Sequence, residues 1–339
     1  MTTQHPHTTI VRSLTFFRRG AGRALIFALV LAMVAAACGD STTASTDPGA
    51  EETTTSVATT EPPADPVTPS TSVRDSGLTT TVQPAGDLVV HSLTAPQEVF
   101  ANSTHIIETE NALVVVDTQF LLPNAADFRA YADSLGKPID RVFITHAHPD
   151  HFLGSEAFAD VPIYALEEVS AAIAANGDAE VEEKQGDFGA EAIAGSYVVP
   201  EVVEPGTIDI DGVSFELTEV ADAEAEIQMV VRVPDHGIAA TGDLVYSGVH
   251  LILAGPADTW TAALQELADD GDPVVLPGHG LPSDASVYDT NIAWLAKAGE
   301  LLGSVDNAED FKQGLVDEFP ELGMPGAIDF VTPFLFPES

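Results

Sequence analysis

The chain has 339 residues and a formal net charge of −41 at pH 7, because 53 acidic residues oppose 12 basic ones. So acidic a protein repels the phosphates of nucleic acids and anionic lipids, and no nucleic-acid partner is expected. Cys38 is the only cysteine, so the mature domain is expected to contain neither an internal disulfide nor a cysteine metal ligand.

Residues 1–38 have the composition of a signal peptide for export. Several arginines precede an apolar run from Ala24 to Ala37, which is too short for an ordinary membrane span and typical of a signal sequence. The small residues before Cys38 resemble a bacterial lipobox, which implies lipidation of Cys38 and anchoring to the cell membrane outside the cytoplasm. A plain cleaved signal, giving a secreted protein, is the alternative.

Residues 39–85 consist mainly of Thr, Pro, Ser, Ala and acidic residues. Such a segment buries too little apolar surface to offset its conformational entropy, so we predict a disordered tether. The rest of the chain is long enough for one large domain. We assign that domain to residues 86–305, and residues 306–339 to a C-terminal extension that packs on it.

The pattern of apolar residues and turn residues within the domain predicts a mixture of strands and helices. Strands are predicted, in chain order, at 88–93, 103–108, 112–118, 141–144, 162–165, 208–220, 228–233, 238–241 and 273–276. Helices are predicted at 125–135, 152–158, 166–175, 259–269 and 284–302, and the weakly periodic segment 177–206 is predicted to be an insertion near the mouth of a cleft.

Three histidines and an aspartate follow the strand at 141–144, in the sequence His146-Ala147-His148-Pro149-Asp150-His151. Imidazole and carboxylate groups are the natural ligands of a catalytic zinc ion. His146 and His148 can point the same way, as alternate residues do. Asp150 and His151, on the turn into the next helix, are then aimed at a second ion.

This cluster resembles the HxHxDH signature of the metallo-β-lactamase-fold hydrolases, and the resemblance extends over roughly residues 86–305. It implies an α/β (α+β) fold, the αββα sandwich of two mixed β-sheets flanked by helices. It also implies that Asp243, at the end of a strand, bridges two ions and that His279, after another strand, is the last ligand. Asp150 is then both a metal ligand and a catalytic residue that takes part in proton transfer.

One element of the family pattern is missing, the third histidine of the first ion site. The only histidine between His151 and Asp243 is His236, which lies in a predicted hairpin turn at the wrong end of its strands. Counting back from the strand makes Glu224 the closest replacement, with Asp222 and Glu226 still open and an ordinary acidic surface turn as the alternative. A carboxylate there would suit iron or manganese as well as zinc.

Tyr246 follows Asp243 by three residues, a spacing similar to that of the lactone-hydrolysing members of the family. Its hydroxyl is a candidate hydrogen-bond donor to a developing oxyanion, with a core tyrosine as the alternative. For His250 we favour a buried histidine bonded to the backbone.

These features predict a metal-dependent hydrolase of a small-molecule ester, lactone, thioester or related bond. The expected cofactor is one or two Zn²⁺ ions, with iron or manganese possible. An iron-dependent oxidoreductase or dioxygenase on the same fold is the first alternative. A β-lactamase, which the altered third ligand disfavours, and a non-catalytic tethered binding protein are the others.

Overall fold

A computed structural model of the chain describes residues 69–337. The predicted signal sequence, Cys38 and most of the predicted tether lie outside these residues. Within residues 69–337, no helix combines the length and the apolar character needed to cross a membrane.

The first sheet has eight strands, and their order across the sheet is their order along the chain. Neighbours are antiparallel up to the fifth strand and parallel from there on. The strands are β1 (Ser70–Val73), β2 (Thr79–Ala85), β3 (Leu88–Thr94), β4 (Ser103–Glu108), β5 (Leu113–Val116), β6 (Ile139–Phe143), β7 (Ile163–Ala165) and β8 (Glu201–Val202).

The second sheet has five strands in the order β13-β12-β11-β10-β9, and only its β12–β13 pair is parallel. Its strands are β9 (Gly206–Ile210), β10 (Val213–Ala221), β11 (Ile227–Val233), β12 (Ile238–Ser247) and β13 (Val274–Gly280). Apolar side chains of both sheets, such as Ile106 and Val231, belong to one continuous core.

Seven α-helices connect or flank the strands of the described chain. They are α1 (Leu122–Ser134), α2 (Pro149–Phe152), α3 (Glu167–Phe188), α4 (Ala257–Asp270), α5 (Ser286–Leu302), α6 (Ala308–Glu318) and α7 (Thr332–Leu335). Helices α4, α5 and α6 share a second core with β12, built on Trp260, Trp294 and Phe311. The predicted class, two mixed sheets with flanking helices, is confirmed.

The folded region begins earlier than the sequence pattern predicts. Residues 70–85, assigned to the tether, form β1 and β2, and β2 pairs with β3 over its whole length. Few large apolar residues are needed here, because the ladder of hydrogen bonds and the burial of Leu78 and Ala85 hold β2 on the sheet. Composition alone therefore predicts a start of the folded domain, at residue 86, that is later than the observed one.

The predicted strand 208–220 is in fact the hairpin of β9 and β10. Asp211 and Gly212 form its turn, with positive φ values of 54° and 78°, as a two-residue type I′ turn requires. The Asp211 carboxylate accepts hydrogen bonds from Thr109 and Asn111. This turn is therefore tied to the loop between β4 and β5 of the other sheet.

Helix α3 continues to Phe188, well past the predicted end at residue 175. Gly177, in its middle, obscured the helical pattern. A Cβ at this position would lie 2.3 Å from Cζ of Tyr197, so glycine lets the tyrosine ring pack against the helix. Much of the predicted insertion 177–206 is therefore regular helix.

The C-terminal extension packs on the domain through Phe311, Leu315 and Ile328, which are buried in the second core. Its backbone also pairs with the segment after β12: Gly323 donates to the Gly248 carbonyl at 2.9 Å and accepts from the His250 amide at 2.9 Å. The extension is thus part of the folded unit.

His105 is a buried hydrogen-bonding link between the two sheets. From β4, its Nε2 donates to the carbonyl of Pro277 in β13 at 2.9 Å, so its Nδ1 accepts from the Ser92 hydroxyl at 2.7 Å. Burial lowers the pKa of His105 from 6.5 to about 4. The native state therefore holds this imidazole neutral.

The free energy of unfolding should consequently fall as the pH drops below about 6.5. His105 of the unfolded chain is protonated below that pH, whereas His105 of the native protein is protonated only below about pH 4. Between pH 7 and pH 5 the His105 contribution amounts to about 2 kcal/mol. Urea unfolding of the wild type and of His105→Gln at both pH values measures it as the difference between their pH dependences. Equal pH dependence in the two proteins would contradict the assignment.

Candidate metal centre

The predicted ligand residues converge from four separate segments into two adjoining groups. Asp243 belongs to both groups, and within each group the candidate ligand atoms all lie within 4.8 Å of one another. Group one is His146, His148, Glu224 and Asp243, and group two is Asp150, His151, Asp243 and His279.

Group one is built around two imidazoles that are close together. His146 Nε2 lies 3.0 Å from His148 Nδ1. The Glu224 oxygens lie 3.5 Å from His148 Nδ1 and 3.8 Å from His146 Nε2. His146 and Glu224 are buried, whereas the His148 side chain remains 37% exposed at the mouth of the site.

The turn between β10 and β11 aims Glu224 into this group. The Asp222 amide donates to the Glu226 carbonyl at 2.9 Å, and both of these flanking acids are exposed. Gly255 packs against the turn so closely that a Cβ there would lie 1.5 Å from the Ala223 oxygen. Of the three acids that the sequence left open, only Glu224 belongs to group one.

Group two contacts both oxygens of the Asp243 carboxylate. Its Oδ1 is 3.1 Å from His151 Nε2, and its Oδ2 is 3.0 Å from His279 Nε2. Asp150 Oδ2 lies 3.5 Å from both of these ring nitrogens. Asp150 is also the most exposed carboxylate of the two groups, at 17%, so it faces the opening.

Asp117 contacts the candidate site, and the sequence motifs did not reveal it. Its carboxylate accepts hydrogen bonds from His151 Nδ1 at 2.9 Å and from the Thr145 amide at 2.8 Å. This contact fixes the ring so that Nε2 points into group two, as carboxylate partners of metal-binding histidines do. The sequence did contain one signal of Asp117, because an acid directly follows the wholly apolar strand β5. Asp117 also has a positive φ of 61°.

Tyr246 and His279 form a stacked pair behind Asp243. Their rings are 4.7 Å apart at an angle of 10°, and the Tyr246 hydroxyl donates to Asp243 Oδ2 at 3.2 Å. His279 Nδ1 donates to the Phe100 carbonyl at 2.7 Å. Tyr246 is 1% exposed, and its role toward a substrate oxyanion stays a prediction.

The two other histidines considered from the sequence lie outside both groups. His250 is buried and accepts a hydrogen bond from the Trp294 indole at 3.0 Å, a side-chain partner where a backbone partner was expected. His236 pairs with Asp87 at 2.6 Å in the turn before β12.

The pKa values of Glu224 and Asp243 are shifted in opposite directions, because burial raises both but the histidines act mainly on Asp243. Burial and the neighbouring Asp243 raise the pKa of Glu224 well above its usual value. Burial also raises the pKa of Asp243, but His151 and His279 outweigh it and lower that pKa well below the usual value. A cation bound beside Glu224 would oppose the rise in its pKa.

Three buried atoms of the two groups make no hydrogen bond with any residue from 69 to 337, namely Glu224 Oε2, His151 Nε2 and Asp243 Oδ1. Buried polar atoms left without partners are costly, and one cation in each group would give every one of these atoms a partner. The donors are nitrogen and carboxylate oxygen, as zinc, iron and manganese sites use. The residues present therefore fit one or two transition-metal ions.

A family model described as the Metallo-beta-lactamase superfamily matches residues 98–279, more than half of the chain. The chain therefore belongs to the metallo-β-lactamase superfamily. A search of the curated proteins found no match.

Several solved structures have the same fold, and some of them are of proteins named metallo-β-lactamases. VMB-1 is 17% identical, with a TM-score of 0.51 over 65% of this chain and 98% of that chain. FIM-1 from Pseudomonas aeruginosa, in its mono-zinc form, is 19% identical, with a TM-score of 0.50 over 65% of this chain and 96% of that one. At such identities the likeness extends to the fold alone.

The contact between Gly255 and the Glu224 turn gives a prediction. Gly255→Ala should push the turn away, because the added Cβ would overlap the Ala223 carbonyl, and the protein should then bind less metal in group one. Metal titration and thermal unfolding measure the effect. Gly299→Ala is the control, since nothing lies within 4 Å of its added Cβ and helix α5 should gain up to about 1 kcal/mol from alanine. Equal metal binding in both variants would contradict this role of Gly255.

Proposed function

We propose that the protein is a metal-dependent hydrolase of an ester, lactone, thioester or related bond in a small molecule. The observation that carries the proposal is the pair of groups sharing Asp243, whose buried candidate ligand atoms include three without a hydrogen bond to any described residue. Membership of a superfamily of mostly hydrolytic enzymes supports it. Bound ions would lower the pKa of an attacking water toward neutrality and polarise the scissile carbonyl.

Asp150 is the residue we assign to proton transfer. Burial raises its pKa, but His151 and His279 outweigh that effect and hold the pKa well below the usual value, so the carboxylate is ionised at neutral pH. Its partial exposure lets it reach both the attacking water and the leaving group. We expect Asp150 to take the proton from the water and return it to the leaving oxygen, nitrogen or sulfur.

Tyr246 has two possible roles in this reaction. Its hydroxyl donates to Asp243, which supports a role in holding the shared carboxylate in place. The predicted contact with a substrate oxyanion would require the same hydroxyl to turn toward the opening. We retain both roles within the proposal.

An iron-dependent oxidoreductase is the second candidate function. The observation that favours it is the combination of His146, His148 and Glu224 in group one, since two histidines and one carboxylate are the ligands of many non-haem iron oxygenases. The neighbour FIM-1 is a metallo-β-lactamase, which suggests β-lactam hydrolysis, but the missing third histidine argues against that activity.

The hydrolase proposal is tested on protein purified without added metal. We expect the protein to contain stoichiometric zinc. We also expect it to hydrolyse at least one member of a panel of chromogenic esters, lactones, thioesters and a cephalosporin. Chelation should abolish this hydrolysis, and added zinc should restore it. Asp150→Asn should lower kcat by about 10²–10⁴-fold, the usual contribution of general acid–base catalysis. Asp235→Asn, at an exposed turn, is the matched control.

Three results would redirect the assignment. Bound iron with oxygen consumption and no hydrolysis would support the oxidoreductase. A protein that binds no metal under any condition would leave only the tethered binding protein. Hydrolysis that survives complete metal removal would contradict the proposed chemistry directly.

We also propose that the protein is anchored outside the cytoplasm through Cys38. The support is in the sequence, where basic residues, the apolar run Ala24–Ala37 and small residues before the cysteine occur in the order of a lipoprotein signal. In a bacterial host, the wild type should fractionate with membranes and Cys38→Ser should not. Wild-type protein found free of the membrane would instead support the plain cleaved signal.

A further inference from the structure

The two ligand groups have the same donor inventory, which the family pattern does not predict. Each consists of two imidazoles, one carboxylate of its own and a share of Asp243. Glu224 produces this symmetry by occupying the place where the pattern has a third histidine. Its role as a ligand depends on the proposed function only in requiring that the groups bind metal.

We infer that Glu224 is a metal ligand that sets ion selectivity, lowering the preference of group one for Zn²⁺ over Mn²⁺ and Fe²⁺. Harder oxygen donors favour the harder ions, whereas additional imidazoles favour zinc. Because both groups then present equal numbers of nitrogen and oxygen donors, they are matched for two ions of the same kind.

The position of Glu224 is built rather than incidental. Its side chain is 1% exposed, with oxygens 3.5 Å and 3.8 Å from the ring nitrogens of His148 and His146. One of those oxygens makes no hydrogen bond with any described residue. The tight packing of Gly255 on the turn leaves little freedom for the side chain to withdraw to the surface.

The charge of the ligands leads to the same conclusion. Asp150, Glu224 and Asp243 together supply three carboxylates to the two groups. A third histidine in place of Glu224 would leave only two. The extra negative charge compensates more of the charge of two divalent cations, which favours occupancy of both groups by ions that bind weakly to imidazole alone.

The test measures metal affinity and needs no substrate. Wild type, Glu224→His and Glu224→Gln are stripped with a chelator and titrated separately with Zn²⁺ and Mn²⁺ against a chromogenic competitor, with Mn²⁺ also followed by electron paramagnetic resonance. Glu226→Gln, an exposed acid two residues away, is the matched control. Circular dichroism checks that each variant folds.

Wild type and Glu226→Gln are expected to bind two Mn²⁺ ions and to show the exchange-broadened signal of a coupled pair. Glu224→Gln should lose about one Mn²⁺ per chain. Glu224→His should increase the zinc-to-manganese affinity ratio of one site by about 10-fold or more, a change of the size that even indirect ligand contacts can produce.

Failure of this inference is distinguishable from failure of the proposed function. Two bound ions with unchanged stoichiometry and unchanged zinc-to-manganese ratio in both variants would overturn the role of Glu224 while leaving a metallo-hydrolase intact. A wild type that binds no metal would overturn the proposed function itself. If Glu224→His does not fold, Glu224→Gln decides, because it keeps the size and shape of the side chain.

Discussion

The buried carboxylate of Asp243 is the constraint around which the second sheet is arranged. Three buried imidazoles, those of His146, His151 and His279, have ring nitrogens within 3.6 Å of it. Gly278, on the neighbouring strand, is required for this approach, since a Cβ there would lie 1.9 Å from Asp243 Oδ1. So many charged and polar groups persist in a largely buried site only where the surrounding backbone holds each group in position.

Strand β12 pairs irregularly with β13 in the segment that carries Asp243. Its register with β13 shifts around Gly242 and again before Tyr246, an irregularity that redirects side chains, as bulges next to active sites do. The backbone groups freed in this way are satisfied from the helices. Asn291 of α5 exchanges two hydrogen bonds with the Tyr246 backbone, and the Trp260 indole of α4 donates to the Leu244 carbonyl. The flanking helices thus complete a strand that the sheet alone leaves unsatisfied.

The sequence revealed those parts of the site and fold that follow from local pattern. The spacing of His146 to His151 and the acid at the end of a strand were enough to identify the family and to name most residues of the two candidate groups. Counting along the chain reduced the candidates for the missing ligand to Asp222, Glu224 and Glu226, and the structure groups only Glu224 with the histidines. Asp117 escaped notice because its importance depends on His151, which is remote in sequence and adjacent only after folding. The strands at 70–85 escaped because β2 is stabilised by pairing with β3 rather than by its own composition.

The C-terminal segment shows that the recognisable part of this protein and its folding unit have different boundaries. The family match ends at His279. His279 is oriented by a hydrogen bond to the carbonyl of Phe100, and the side of Phe100 is covered by residues beyond that match. The Phe100 ring in turn packs 5.3 Å from that of Phe330, and the adjacent Gln97 side chain accepts a hydrogen bond from the Met324 amide. A polypeptide cut to the family's limits would keep every candidate ligand but lose contacts that help to orient one of them. If the candidate groups bind ions as proposed, ion affinity would be thermodynamically linked to the packing of residues 324–330, and ion binding should slow proteolysis of a segment that contributes no ligand.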